Sequence, residues 1–387
     1  MIMLQIIFDR KAKSLYVEDQ STKDILASSH FGNAERGRLV LRPEEALYLM
    51  DVRKAQCTDA EGAEVKFNAV TEQFNPKKFM ARYFTYKDWR DRGLIARYET
   101  DARIKGPRLP HTKRYGASAT KFKAHRLDGA FFPADMVTVV DDLERGKTIY
   151  DELWFGQYGT YKLADHGTLN KLDIYETLFL MDRGVLNMTN STRRQVYDTA
   201  SKRRPDFQKL YDVYADWREK GYVIKTGFKF GTHFRVYFPG ARPVKDNKWI
   251  HSMHVIHVFP RDAKLLISEW SRAIRVAHSV RKTFILAIPG TSRKKKMDMD
   301  FVLYHRKHDG IEAPGENIPR FCMLSLSEDE YLGGAELSAI LNKAKEDRME
   351  LIIAIADRET AITYYKVRRI ELQGSGYEYY EIDWMQP

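Results

Sequence analysis

The chain has 387 residues, 43% of them hydrophobic and 30% charged, the balance of a folded protein of two to four domains and not of a fibre or a disordered tail. Lys and Arg number 64 against 53 Asp and Glu, giving a formal charge of +11 and a pI of about 9.3. That excess calls for an anionic partner: nucleic acid, a phosphorylated ligand or an acidic membrane face. Two distant cysteines, Cys57 and Cys322, exclude a disulfide framework and a four-cysteine zinc site. No apolar run approaches the ~20 residues that span a bilayer, and Met1–Phe8 lacks a secretory pattern, so the expected location is cytoplasmic.

In chain order, the alternating run Ser14–Asp19 predicts a strand ending in acidic residues, and P-E-E-A-L-Y-L-M-D at 43–51 predicts a short amphipathic helix. Tyr86–Ile95 predicts a helix end, a glycine cap and an apolar strand. After a basic linker from Lys105 to Lys121, all three signals return. Val137–Asp142 is the strand, D-I-Y-E-T-L-F-L-M-D at 173–182 the helix, and Tyr214–Ile224 the helix end and strand. The offsets are 131 residues (Glu45 to Glu176) and 128 (Tyr86 to Tyr214), so order and spacing are both kept.

Two short strands around glycines follow at 222–238, then a strand at 251–259, a helix at 266–281, an apolar strand at 284–288 and a strand near 300–306. Beyond the polar stretch His308–Glu316, a degraded copy of this tail returns. It has a strand at Phe321–Leu326, a helix at 335–347 and last strands at Leu351–Ala356 and Ile362–Val367. The expected units are a helix/strand module at 1–105, a basic linker at 106–121, a second such module at 122–221, a complete tail at 222–309, a linker at 310–316 and a short degenerate tail at 317–387. The class is α/β, built from α+β modules duplicated within the chain.

Alternation across His233–Tyr237 puts His233, Arg235 and Tyr237 on one face and Phe234 and Val236 on the other. His251, His254 and His257 invite a metal reading. In a strand, however, 251 and 257 share a face that 254 leaves, so no metal is assigned. In the 266–281 helix, Arg275, His278 and Lys282 form a basic stripe, which is either a solvated face or a phosphate contact. There is no phosphate-binding glycine loop, no dinucleotide fingerprint, no serine nucleophile elbow and no zinc-type spacing. Pro205–Asp206 is only a weak start to a metal-dependent nuclease pattern.

Three segments taken in order resemble the archaeal tRNA-splicing (tRNA-intron) endonucleases: Gly221–Tyr237 (G-Y-V-I-K-T-G-F-K-F-G-T-H-F-R-V-Y), Ile250–Val258 and Arg275–Lys282. The helical repeat with Glu45 and Glu176 resembles that family's N-terminal module. The resemblance implies a restriction-endonuclease-like mixed sheet in the C-terminal module. It implies excision of introns from precursor tRNA at bulge–helix–bulge sites, without metal or cofactor, leaving 2′,3′-cyclic phosphate and 5′-OH ends. Tyr237, His251 and Lys282 match the family's catalytic set as base, acid and stabilising cation, and Arg275 matches an arginine that holds a bulge base. Tyrosine is an awkward base, because at an ordinary pKa of ~10 only about one part in a thousand is ionised at pH 7. It either has its pKa lowered by Arg235 or Lys282, or only orients the 2′-OH.

Lys162 and Arg306 are further candidates for RNA contact, as is the basic linker. Pro319, Met349 or Glu350, and Asn342 stand where His251, Lys282 and Arg275 would be in the last unit, so that unit reads as non-catalytic. The whole resembles the three-unit members, which form homodimers, with the acidic loop at Asp357 and Glu359 as the docking element. The rival readings are a non-catalytic RNA-binding scaffold and a metal-dependent nuclease on a related core.

Overall fold

The computed structural model describes residues 4–74, 77–102, 112–118, 122, 125–163, 166–245, 248–290, 297–308 and 310–387. The helices of the repeat form where expected, at Pro43–Asp51 and Ile174–Asp182. The second starts on a reciprocal cap and the first on its glutamate half alone, because the Arg42 side chain carries no acceptor. The Glu45 carboxylate accepts the backbone N–H of Arg42 at 2.9 Å, and Glu176 accepts that of Asp173 at 3.1 Å. Each helix packs on its own five-stranded sheet. In each of these sheets the first strand pairs antiparallel with its hairpin partner and parallel with a later strand.

One 11-stranded mixed sheet joins the rest. Its path runs Val223–Thr226, Phe234–Tyr237, His254–Val258, Thr283–Ile288, Glu378–Met385, Ile362–Leu372, Glu350–Ala356, Phe321–Ser327, Phe301–Tyr304 and Ile95–Arg97. The order is palindromic about the pair Glu378–Met385 and Ile362–Leu372. Phe234 faces Ile256 on one side as Phe301 faces Met323 on the other, and His254 faces Thr283 as Phe321 faces Glu350, a constant offset of 67 residues. Lys225 faces Arg235 as Arg97 faces Val302.

This symmetry redraws the division at 309/310. Strand Phe301–Tyr304 pairs with Phe321–Ser327 and with Ile95–Arg97, so it belongs to the second half and not to the 222–309 tail. Residues 4–102 and 297–372 together make one half, and the stretch between them, with the last strand of the chain, makes the other. The first module is fastened to the last unit by Thr85 Oγ1 on Ser325 Oγ at 2.7 Å, Tyr364 OH donating to Asp88 at 2.7 Å and Lys343 on Glu99 at 2.6 Å. In the other half, a final strand not expected from the sequence, Glu378–Met385, pairs with Thr283–Ile288. Asp216 on helix Phe207–Glu219 accepts the Tyr379 hydroxyl at 2.6 Å.

Both faces of the sheet are covered, which explains the continuous apolar runs. Ile285 and Ala287 enter the core under the second module, while Phe284, Leu286 and Ile288 enter the core under helices Ile267–Ser279 and Gly334–Glu346. Most of the 106–121 linker lies outside the described residues. Its described end is not a loose tether, because Lys113–Tyr115 adds as a strand beside Ile370–Leu372 and Tyr115 packs at 5.7 Å on Trp217.

Candidate active site

Sheet direction gathers the three candidate residues. Phe234–Tyr237 runs antiparallel to His254–Val258, which runs parallel to Thr283–Ile288. The last residue of the first strand and the residues just before the other two therefore meet at one end of the sheet. Tyr237, His251 and Lys282 line one cleft of about 510 Å³ with Trp154, Tyr161, Lys162, Lys171, Asp173, Lys225, Lys229, Phe230, Arg235, Trp249 and Ser252.

Phe234 and Val236 are buried in the core, which leaves Arg235 and Tyr237 facing the cleft. The Tyr237 ring lies 4.6 Å from the Trp154 ring and is 4% exposed. Burial pushes its phenol above the ordinary value, while Arg235 and a hydrogen bond with Ser252 pull the other way and lose. His251 was expected inside a strand. It sits instead in the exposed loop before His254–Val258, because the preceding hairpin ends at Trp249. Lys282 was expected as the end of a helical stripe, but the helix stops at Ser279. Arg281 takes a left-handed φ of 55°, and the N–H groups of Arg281 and Lys282 close onto the carbonyls of His278 and Ala277 at 2.9 and 3.0 Å. This cap swings Lys282 off the helix face and into the cleft, where Nζ donates to the Ser252 carbonyl at 2.5 Å. Burial and the Arg235 charge depress its pKa. His278 reaches the Ile382 carbonyl at 3.3 Å, and Arg275 stays exposed on the helix, so no continuous stripe exists.

His233 also leaves the expected face. Its ring lies 4.5 Å from that of His257, tilted by 44°, in a separate cleft, and it contacts Arg204 at 2.9 Å. His254 is buried between the rings of Tyr115 and Phe238, at 5.6 and 5.5 Å. Burial holds His254 and His257 at about 4. Among the described residues no group of three or more His, Cys, Asp or Glu is placed to hold a metal ion.

The remaining candidates scatter. Lys162 is exposed on the cleft rim, 5.7 Å above the Tyr161 ring. Arg306 is on the far half, donating to the Arg92 carbonyl at 3.0 Å. Arg275 does not line the cleft; its charge acts on the Tyr365 phenol. Asp357 and Glu359 are exposed at a hairpin tip, where Asp357 accepts the N–H groups of Glu359 and Ala361 at 2.9 Å each. That tip precedes the second-to-last strand and not the last.

By register, the other half keeps a tyrosine, Tyr304, at the position of Tyr237. It is fully buried, and Ile318 and Met349 occupy the places of His251 and Lys282. Pro319 instead aligns with Ser252. The sequence hid this tyrosine because strand Phe301–Tyr304 stands almost alone between polar loops. It also hid the wall residues Trp154, at a helix C-cap, Lys229, in the 3-10 turn Phe228–Phe230, and Ser252, in a loop, none of which belongs to a periodic run.

A family model for the tRNA intron endonuclease catalytic C-terminal domain matches residues 207–299, and one for the N-terminal domain matches residues 11–71. A tRNA-splicing endonuclease of Methanococcoides burtonii is 28% identical over 348 residues, 73% of this chain and 95% of that protein. That of Methanopyrus kandleri is 36% identical over 144 residues, 36% of this chain and 75% of that protein. That of Hyperthermus butylicus is 35% identical over 162 residues, 39% of this chain and 85% of that protein. With both family domains present in order and relatives of this identity matched over most of their length, the chain belongs to the tRNA-splicing (tRNA-intron) endonuclease family.

Proposed function

We infer that this enzyme excises introns from precursor tRNA in the cytoplasm by metal-independent cleavage at bulge–helix–bulge sites. The observation that carries the reading is the meeting of Tyr237, His251 and Lys282 in one cation-lined cleft. The ribose 2′-OH attacks phosphorus and passes its proton to solvent water, the P–O5′ bond breaks, and the products are a 2′,3′-cyclic phosphate and a 5′-OH. His251, exposed and ahead of its strand, gives its proton to the leaving 5′-oxygen. Lys282 meets the charge that builds on the non-bridging oxygens. Tyr237 orients the 2′-OH, since burial raises its pKa and keeps it a neutral phenol at pH 7.

The second helix/strand module and the tail to residue 290 form the active unit, and the first module with the last unit is structural. Two chains assemble as a homodimer through the hairpin tip at Asp357 and Glu359. Arg275, Arg306 and the exposed Lys162 add contacts to RNA phosphates or splayed bases. The test is incubation with an intron-containing precursor tRNA in EDTA. Cyclic-phosphate ends support the reading, cleavage lost in EDTA points to a metal enzyme, and no cleavage points to a scaffold.

A further inference from the structure

Six cations line the cleft, and three are already engaged. Lys171 donates to the Gly159 carbonyl, Lys225 is paired with Glu176 at 2.6 Å, and Lys282 is held by the Ser252 carbonyl. Lys162 and Lys229 are exposed on the rim beside the Tyr161 ring. Arg235 differs from all of them. It is half-buried in the cleft wall next to Tyr237 in the same strand, and its Nε is buried without a hydrogen-bond partner. No carboxylate among the described residues pairs with it, and its nearest aromatic contact is the Tyr237 ring at 5.8 Å. A guanidinium offers five donors in a planar fork, and burying it without an acceptor is costly. The register adds an independent observation. In the half that has Ile318 and Met349 in place of His251 and Lys282, Val302 stands in place of Arg235, although the tyrosine is kept as Tyr304. The guanidinium is present only where the histidine and lysine are.

We propose that Arg235 is a catalytic residue that binds the scissile phosphodiester, its fork taking a non-bridging phosphate oxygen beside Lys282. The proposal rests on the cleft being the site of RNA cleavage. A planar fork matches a phosphate bidentately, where an ammonium acts as a point charge. Lys282 supplies charge from one side, anchored to the Ser252 carbonyl, and Arg235 fixes the phosphate against the 2′-OH from the strand beside it. Its positive charge also lies close enough to act on both Tyr237 and Lys282.

The test compares wild type, Arg235→Met, Arg235→Lys and His251→Ala in single-turnover cleavage of an intron-containing precursor tRNA. Binding is measured on the same precursor carrying a 2′-deoxy nucleotide at the cut. Arg235→Met is expected to cleave at least 30-fold more slowly while binding within threefold of wild type. Arg235→Lys, which keeps the charge but not the fork, should be slowed at least fivefold. Wild-type cleavage by Arg235→Met overturns the proposal. If Arg235→Met does not fold, wild-type cleavage by Arg235→Lys overturns it. A wild-type protein that does not cleave, or a His251→Ala variant that cleaves at full rate, counts against the cleavage site itself and not against Arg235 alone.

Discussion

The Lys225 ammonium sits 2.6 Å from the Glu176 carboxylate, and both are buried where the second helix/strand module meets the large sheet. Glu176 also accepts the N–H of Gly156 at 3.0 Å. The other half repeats the arrangement with Arg97, 3.4 Å from Glu45, and Glu45 accepting the N–H of Gly32 at 3.1 Å. The repeated glutamates are therefore the anchors between module and sheet. Each caps its own helix, holds a turn of its own small sheet and neutralises a cation on a strand of the large one.

Removing one partner of such a pair strands a buried charge. Lys225→Met is expected to cost about 3–5 kcal/mol, and Arg97→Met a similar amount. Replacing both Glu176 and Lys225 with Met recovers at least half of the loss, because no charge is left unpaired. Urea midpoints of the wild type and the three variants check this.

Gly156 has a φ of 75°, and a Cβ there would lie 1.9 Å from Asn170 Oδ1. Gly156→Ala combines left-handed strain with a backbone displacement at the N–H that Glu176 holds. It is expected to lower the thermal midpoint more than Gly167→Ala, where φ is 95° but a Cβ meets nothing within 4 Å.

The buried histidines make the fold acid-sensitive. His254 and His257 titrate at about 4 in the folded chain, below the ordinary 6.5. Their contribution is intact above pH 6.5 and is lost as pH falls, because only the unfolded chain takes up the protons. At pH 5 the loss is about 2 kcal/mol for each. His254→Phe, between Tyr115 and Phe238, is expected to flatten the fall in stability between pH 7 and pH 5 by about that amount. Denaturation at the two pH values measures it.

Tyr237→Phe keeps the ring on Trp154 and removes only the hydroxyl. With the phenol neutral, its loss is expected to slow single-turnover cleavage by about 10²-fold. His251→Ala and Lys282→Met, which remove the proton donor and the charge, lie toward 10³–10⁴-fold. A Tyr237→Phe loss equal to that of His251→Ala would show that the tyrosine carries the proton after all.

Assembly is tested at the hairpin tip. The wild-type chain is expected to show twice its 45.2 kDa mass by light scattering at micromolar concentration. Glu359→Lys reverses charge while leaving both N–H groups capped by Asp357, and is expected to shift the mass toward the monomer. A monomeric wild-type chain overturns the dimer.

The sequence by itself determined the local elements and, through a family resemblance, raised an expectation of the chemistry. Helix Ile174–Asp182 followed from its apolar spacing, and strand Thr283–Ile288 from a strand-sized apolar run. The Tyr, His and Lys set was the expectation of a resemblance carried by three segments between residues 221 and 282. Tertiary structure alone decided how these were combined. Backbone pairing has no sequence label for which strand is the neighbour, so Phe301–Tyr304 could be assigned to its half only once its hydrogen bonds to Phe321–Ser327 were formed. The left-handed turn at Arg281 is closed by carbonyls of its own helix, and the sheet then turns Lys282 from one residue of a helical stripe into a cleft cation beside Arg235. The net charge pointed only to an anionic partner. The fold decides which cations stay free to meet it, by pairing Lys225 with Glu176 and leaving the Arg235 Nε with no acceptor among the described residues.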